Sequence, residues 1–361
     1  MAVTIATGSL VLGGAVVTTS GGNIYVFYGD NTSVKVLKST DGGSSFSLIN
    51  TLTDNDITGG DNLIGWIDAA IDSDNIIHIA VVAQIGAATR FLAYNTLNTA
   101  DDTLSSWEEA AGGDKTPTYR GVSISLDSNK KPHILFVYAE ANMGTTYNRI
   151  YYTNKVSGSW ATPVMVSVDT TKNHNHPRIT VKASDYLETV YTDDGYVYIC
   201  RTKTSSWLSE VDYTTAASSP GVRSITVTTG GTVYRYGVGL NNPYYLEEND
   251  GILSADTLFS DYPCYGAGFI GTTRCVFWVD YSDEDIRVFK NSGTGWFAAL
   301  LETGSFSKII TEWAYNFEYQ GERINYIFDN GVTLYFNYYS LAQPAKSLVS
   351  KPQSRKTYLR M

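Results

Sequence analysis

One short phrase returns along this chain at intervals of about 43–55 residues. Ile71-Asp72-Ser73-Asp74-Asn75-Ile76-Ile77-His78-Ile79 is echoed by Leu126-Asp127-Ser128-Asn129-Lys130-Lys131-Pro132-His133-Ile134. Each is an apolar strand end, an Asp-Ser turn, and a second strand that opens on histidine. A variant without the histidine stands at Val17-Thr18-Thr19-Ser20-Gly21-Gly22-Asn23-Ile24-Tyr25, and again at Val227-Thr228-Thr229-Gly230-Gly231-Thr232-Val233-Tyr234. This period fits one four-stranded antiparallel sheet, the blade of a β-propeller.

Period-2 alternation between Gly, Asp and Asn turns divides the chain into seven such units, with six or eight as the alternatives. The first strand of each unit reads as Ala15–Thr19, Ile67–Ile71, Val122–Leu126, Arg178–Lys182, Ser224–Thr228, Gly266–Ile270 and Trp313–Tyr319. The seventh unit lacks a fourth strand, while the first residues, Val3-Thr4-Ile5-Ala6-Thr7, have no unit of their own. The expected fold is therefore an all-β, single seven-bladed propeller over residues 1–341, in which residues 1–12 complete the last blade and remove an exposed sheet edge. Residues 342–361 form a separate basic tail with Lys346, Lys351, Arg355, Lys356 and Arg360 and no acidic residue, expected to extend and dock on a partner subunit or on the propeller.

Composition agrees with strands and narrows the partners. The 27 Tyr, with abundant Thr, Val and Ile, favour sheet. A net charge of −10 argues against a general nucleic-acid binder, and no apolar run is long enough to insert in a membrane. Cys200, Cys264 and Cys275 are an odd set without metal-ligand spacing, expected as buried thiols. No basic n-region precedes an apolar run at the start, so no secretory signal is visible.

An aromatic follows a Ser/Gly turn in most units: Phe46, Trp107, Trp160, Trp207 and Trp296. Its recurrence predicts packing between neighbouring blades, with a sugar-stacking platform as the competing role. Ser39-Thr40-Asp41-Gly42-Gly43-Ser44-Ser45-Phe46 resembles the Asp box of bacterial-neuraminidase-type repeats, with Phe in place of the usual Trp. The resemblance implies a structural turn built on Ser39, Asp41, Gly43 and Phe46, within a sialidase-like superfamily. In such a turn the aspartate accepts backbone N–H bonds and glycine supplies positive φ. No sialidase catalytic motif accompanies it, so no catalytic residue follows from the resemblance and the chain reads as a non-catalytic member.

The densest chemistry lies in Lys172-Asn173-His174-Asn175-His176-Pro177-Arg178, directly before the first strand of unit four. First strands line the central channel of a propeller, so His174, His176 and Arg178 are candidate ligand-binding residues at its mouth. Histidine there could also serve as acid, base or metal ligand, whereas the bland reading is a polar loop bonded to its own backbone. His78 and His133, at equivalent repeat positions, are expected to be structural. No phosphate loop, nucleophile elbow or calcium loop is present, and neither cofactor nor metal is expected. These absences favour a non-enzymatic structural and binding component of a phage-like virion, a tail or surface protein assembled in a host cytoplasm, with other subunits and a cell-surface glycan as partners. The alternatives are a carbohydrate-binding lectin, with equivalent sites repeated around the ring, and a glycan hydrolase or lyase, with one asymmetric site at the channel.

Overall fold

The computed structural model describes residues 2–341 apart from 8–13, 30–32, 54–65, 86–88, 113–116, 143–144, 194–196, 215–220, 228–231, 239–242, 250–251, 258–263, 271–272, 280–284, 292–295, 305, 307 and 312–322. Within these residues the chain forms seven antiparallel sheets in sequence, six of four strands and one of five. The sole helical element among the described residues is a single 3₁₀ turn, Ala183–Asp185.

The first strand of each sheet is called here its hub strand. The seven are Gly14–Thr18, Ile67–Ile71, Pro117–Leu126, His174–Lys182, Gly221–Val227, Cys264–Ile270 and Lys308–Thr311. Each touches the next, and the seventh touches the first, so the sheets close into a ring. The sequence placed the seventh hub strand at 313–319, which lies outside the described residues; the observed strand precedes it.

Closure uses both ends of the described chain. Val3–Thr7 lies antiparallel to Thr333–Ser340 as the outermost strand of sheet seven, with Val3 opposite Phe336 and Thr7 opposite Thr333. The borrowed strand thus supplies the fourth strand that the repeat pattern found missing, and it covers the edge of Thr333–Ser340.

The core lies in the wedges between sheets. Val17, Phe27 and Val36 of sheet one pack with Ala69, Ile79 and Val81 of sheet two. Leu135, Ile150 and Tyr152 of sheet three pack with Ile179, Leu187 and Tyr191 of sheet four. Sheets seven and one share Phe336, Leu334, Val26 and Ile24. Strand alternation makes this possible, since successive side chains leave opposite faces and each sheet is covered on both.

The recurring aromatics tie sheets one to four each to the preceding one. Trp160 meets the Tyr94 ring edge-on at 4.9 Å and donates its indole N–H to Glu108 Oε2 at 2.9 Å. Trp207 meets Tyr152 edge-on at 5.4 Å, and Phe46 lies 4.9 Å from Phe336 across the closure. Trp107 packs on the core shared by sheets one and two. These four are wedge residues, as their recurrence predicts; the side chain of Trp296 lies outside the described residues. Cys200 and Cys275 are buried thiols outside any disulfide, the latter pushed by burial up to about 12.

Candidate functional site

Hub strands begin at one end of the ring, here called the mouth, and finish at the other, the base. The base carries the repeated turns. His78 Nδ1 lies 2.6 Å from the Tyr94 hydroxyl and its Nε2 lies 3.5 Å from Asp72 Oδ2. His133 repeats this with Tyr152 at 2.6 Å and Asp127 at 3.4 Å. With the carboxylate accepting, Nε2 carries the proton and Nδ1 accepts from tyrosine. The other oxygen of each aspartate accepts two backbone N–H groups of its own turn. Both histidines are thus fully engaged brackets between strands.

The turn at residues 39–46 also belongs to the base. Ser39 donates to Asp41 Oδ1 at 2.7 Å, Ser45 N–H donates to the same oxygen at 2.9 Å, and Gly43 N–H donates to Ser39 Oγ at 2.8 Å. The Ser45 hydroxyl, donating to Asp41 Oδ2 at 2.6 Å, together with the Ser45 N–H and the Ser39 hydroxyl, holds the exposed Asp41 carboxyl well below its usual range. Gly43 has φ of 92°, and a Cβ there would overlap the Phe336 ring. The turn is a structural device, with its aromatic anchored on sheet seven.

The mouth is built differently. Four successive hub strands lose register with their neighbours near their starts. In sheet three, Thr118-Tyr119-Arg120-Gly121 stand between Pro117 and Val122, where the partner strand has Val137 alone. In sheet four, His176 and Pro177 stand between Asn175 and Arg178, opposite Tyr191 alone. Arg223 is the extra residue of sheet five and Tyr265 that of sheet six. Hub strands of sheets one and two run without such a shift. Bulges bend a strand and re-aim its side chains, and they gather at barrel rims and active sites.

Local backbone explains how sheets three and four fit together here. His176 takes φ of 54°, unusual for a residue with a Cβ, and Gly121 takes φ of 134° beside it. A Cβ at Gly121 would come within 3.0 Å of Pro177 Cδ, so glycine permits the close approach of the two hub strands.

Three sheets are then linked through polar groups. The buried carboxylate of Asp68, on the hub strand of sheet two, accepts from Ala69 N–H and from Ile124 N–H of sheet three, each at 3.0 Å. Ser123, which also bonds Asp68, accepts from Ile179 N–H of sheet four at 3.3 Å. Burial raises the Asp68 value to about 6, opposed first by the positive charge of Arg178. Arg178 is half-buried and donates to the Pro177 carbonyl at 2.9 Å.

The segment before Arg178 is pinned from both sides. Arg149, fully buried, donates to the carbonyls of Asn148, Thr170 and Lys172. Asn173 accepts from Asn148 N–H and Asn175 accepts from the Asn148 amide, both at 2.9 Å. Lys172 pairs with the buried Asp193 at 2.7 Å.

The three sequence candidates therefore separate. His176 and Arg178 are partly exposed, and His176 Nδ1 lies 3.4 Å from Thr192 Oγ1. His174 has no exposed surface; its ring stands edge-on to Tyr191 at 5.7 Å, and neither ring nitrogen has a hydrogen-bond partner. Burial lowers its value, holding it neutral. It is a wall residue under the mouth rather than a ligand contact. No group of three or more His, Cys, Asp or Glu suited to a metal occurs among the described residues. Lys346, Lys351, Arg355, Lys356 and Arg360 lie outside the described residues.

Asp68 and Arg149 were missed by sequence reasoning. Asp68 had a usable signal, a single charge within the otherwise apolar Ile67-Asp68-Ala69-Ala70-Ile71. Arg149 had none, since its partners are backbone carbonyls 21 and 23 residues away.

No family model matches this sequence, and no curated protein matches it. Solved structures do. The α-L-arabinanase of Penicillium chrysogenum, complexed with arabinobiose, superposes with TM-score 0.56 at 10% identity over 94% of this chain and 98% of that one. The polysaccharide lyase Uly1 gives TM-score 0.55 at 11% identity over 94% and 92%. The six-bladed fucose-recognising lectin of Aleuria aurantia gives 0.52 at 14% over 83% and 98%. The chain is a β-propeller. At these identities the likeness carries the fold, and it does not carry the sialidase-like family that the turn at residues 39–46 resembles. It also corrects the expectation of a non-enzymatic virion component: the similar structures are glycan-active enzymes and a lectin.

Proposed function

We propose that this protein acts on a glycan chain at the mouth of its hub, as a hydrolase or lyase. The observation that carries the reading is the run of four bulged hub strands, on sheets three to six, with no such shift among the described residues of the other three. A lectin that repeats its site would deform every blade alike, whereas a single asymmetric mouth suits an enzyme. Strained, re-aimed backbone of this kind costs stability and persists where the surrounding fold holds it for a purpose. The similar propellers named above supply the glycan class: an arabinanase and a polysaccharide lyase.

The test is to incubate the purified protein with a panel of polysaccharides and follow two products together. New reducing ends report any cleavage, and the ultraviolet absorbance of an unsaturated uronate separates elimination from hydrolysis. Cleavage of one panel member is expected. Saturable binding of a monosaccharide at several equivalent sites, with no cleavage, would turn the reading to a lectin.

A further inference from the structure

At the mouth end of the wedge between sheets two and three, two aromatic rings and a carboxylate come to the surface. Trp66 directly precedes the hub strand of sheet two, and Tyr138 lies on the second strand of sheet three, Pro132–Asn142. Both pack on the core that these sheets share, and both remain partly exposed. Tyr138 meets the buried Tyr151 ring edge-on at 5.3 Å, and the Tyr151 hydroxyl donates to Glu140 Oε2 at 3.3 Å. Glu140 follows Tyr138 on the same face of its strand and is also partly exposed. Asp68 leaves the same face of sheet two as Trp66 and accepts from Ile124 N–H, so the two hub strands are tied together directly below this level.

Blade construction does not call for these three residues. The repeat phrase matches Ile71 with Leu126 and His78 with His133, and the same alignment sets Trp66 against Gly121, Tyr138 against Ala83 and Glu140 against Ile85. Gly121 serves the opposite purpose, since it lets Pro177 close in between sheets three and four. The wedge aromatics that do recur, Trp107, Trp160 and Trp207, stand before outer strands and not beside the hub. An aromatic face gathers the C–H groups of a sugar ring, and a carboxylate beside it accepts from the ring's hydroxyls. That carboxylate also disfavours a sugar that carries a negative charge of its own.

We infer that this corner of the mouth is a subsite for one uncharged sugar unit, which stacks on Trp66 and Tyr138 and donates neighbouring hydroxyls to Glu140. The inference rests on the glycan reading above and gives it a first point of grip on the chain.

Affinity electrophoresis of the full chain in gels containing arabinan, galactomannan, β-glucan or polygalacturonate tests it. Retardation by at least one of the neutral polysaccharides is expected. Added salt should leave it unchanged, because stacking and hydroxyl bonds are not screened as charge pairs are. Trp66→Ala should weaken the retardation about tenfold or more, the order expected for losing an aromatic anchor. Glu140→Gln keeps the shape and removes the charge, and should weaken it about threefold. Melting curves of both variants separate loss of the subsite from loss of the ring. If Trp66→Ala melts far below the wild type, Glu140→Gln carries the test, since its carboxylate is partly exposed and the amide has the same shape. Neutral retardation that neither substitution alters, or retardation by polygalacturonate alone, overturns the inference and leaves the glycan reading standing. Retardation by no gel overturns the inference, and with no cleavage of the polysaccharide panel above it overturns the glycan reading too.

Discussion

At the base of the ring, His78 and His133 occupy equivalent places, and each is held between a tyrosine hydroxyl and an aspartate. At the mouth, His174 and His176 are two residues apart and differ in every respect: one is sealed and unpartnered, the other is partly exposed on strained backbone. The contrast extends to the strands. Base turns close on bonds within a few residues of sequence, so any blade can use the same recipe. The mouth is shaped by register losses whose form depends on the neighbouring strand and which differ from sheet to sheet. Repetition serves construction, and departures from it mark the end where we propose the ring is put to use.

The largest expected effect lies at the base. Gly43→Ala places a methyl against the buried Phe336 ring at a left-handed φ, and should cost about 3–5 kcal/mol in urea-melt stability. A loss under about 1 kcal/mol would mean that the closure between sheets one and seven is loosely packed.

Next comes Asp68, where the two ends differ in electrostatics. Its folded value near 6 exceeds the ordinary 3.8, so between these values the folded protein holds a proton that the unfolded chain releases. Its stabilising share is present below about pH 4 and is lost as pH rises through 6, a change of about 3 kcal/mol. The stability difference between the wild type and Asp68→Asn, measured across pH 4–7, should move against the wild type by that order. A flat difference would remove Asp68 from the set of strained mouth groups.

The histidines give a matched pair. His133→Phe strips a buried tyrosine and a buried aspartate of their partner, and should cost about 2–3 kcal/mol at neutral pH. His174→Phe removes no hydrogen bond and keeps the ring beside Tyr191, so it should change stability by less than about 1 kcal/mol. The second variant also has a pH signature. Burial depresses His174 below 6.5, so its share of stability is held above that value and is lost as pH falls through the depressed one. The variant should therefore gain on the wild type as pH drops below about 6.5. Equal costs for the two substitutions would erase the distinction between base and mouth.

The same contrast explains what could be read from the residues alone. The four-stranded antiparallel sheets, the structural histidines, four of the wedge aromatics and the borrowed N-terminal strand all rest on short-range patterns, and the ring shows each of them. The expected hub strands of sheets three to six began at Val122, Arg178, Ser224 and Gly266. Those are the residues at which register resumes after each bulge, and the observed strands start earlier, at Pro117, His174, Gly221 and Cys264. Alternation cannot be seen through an inserted residue, because the insertion flips every later side chain to the other face. Gly121 and Pro177 were the available hints, since both residue types inside a strand point to a bulge. Arg149 and the partners of Asp68 needed the third dimension.

The strand Val3–Thr7 has a consequence for how the ring is made. Its partner, Thr333–Ser340, is made only after the six intervening sheets, so Val3–Thr7 waits unpaired while they form an open arc. The ring therefore closes in a single latching event that joins an early strand to a late one and turns the arc into a wheel. Any handle attached ahead of that segment would travel with the latch, on the outer rim and away from the hub.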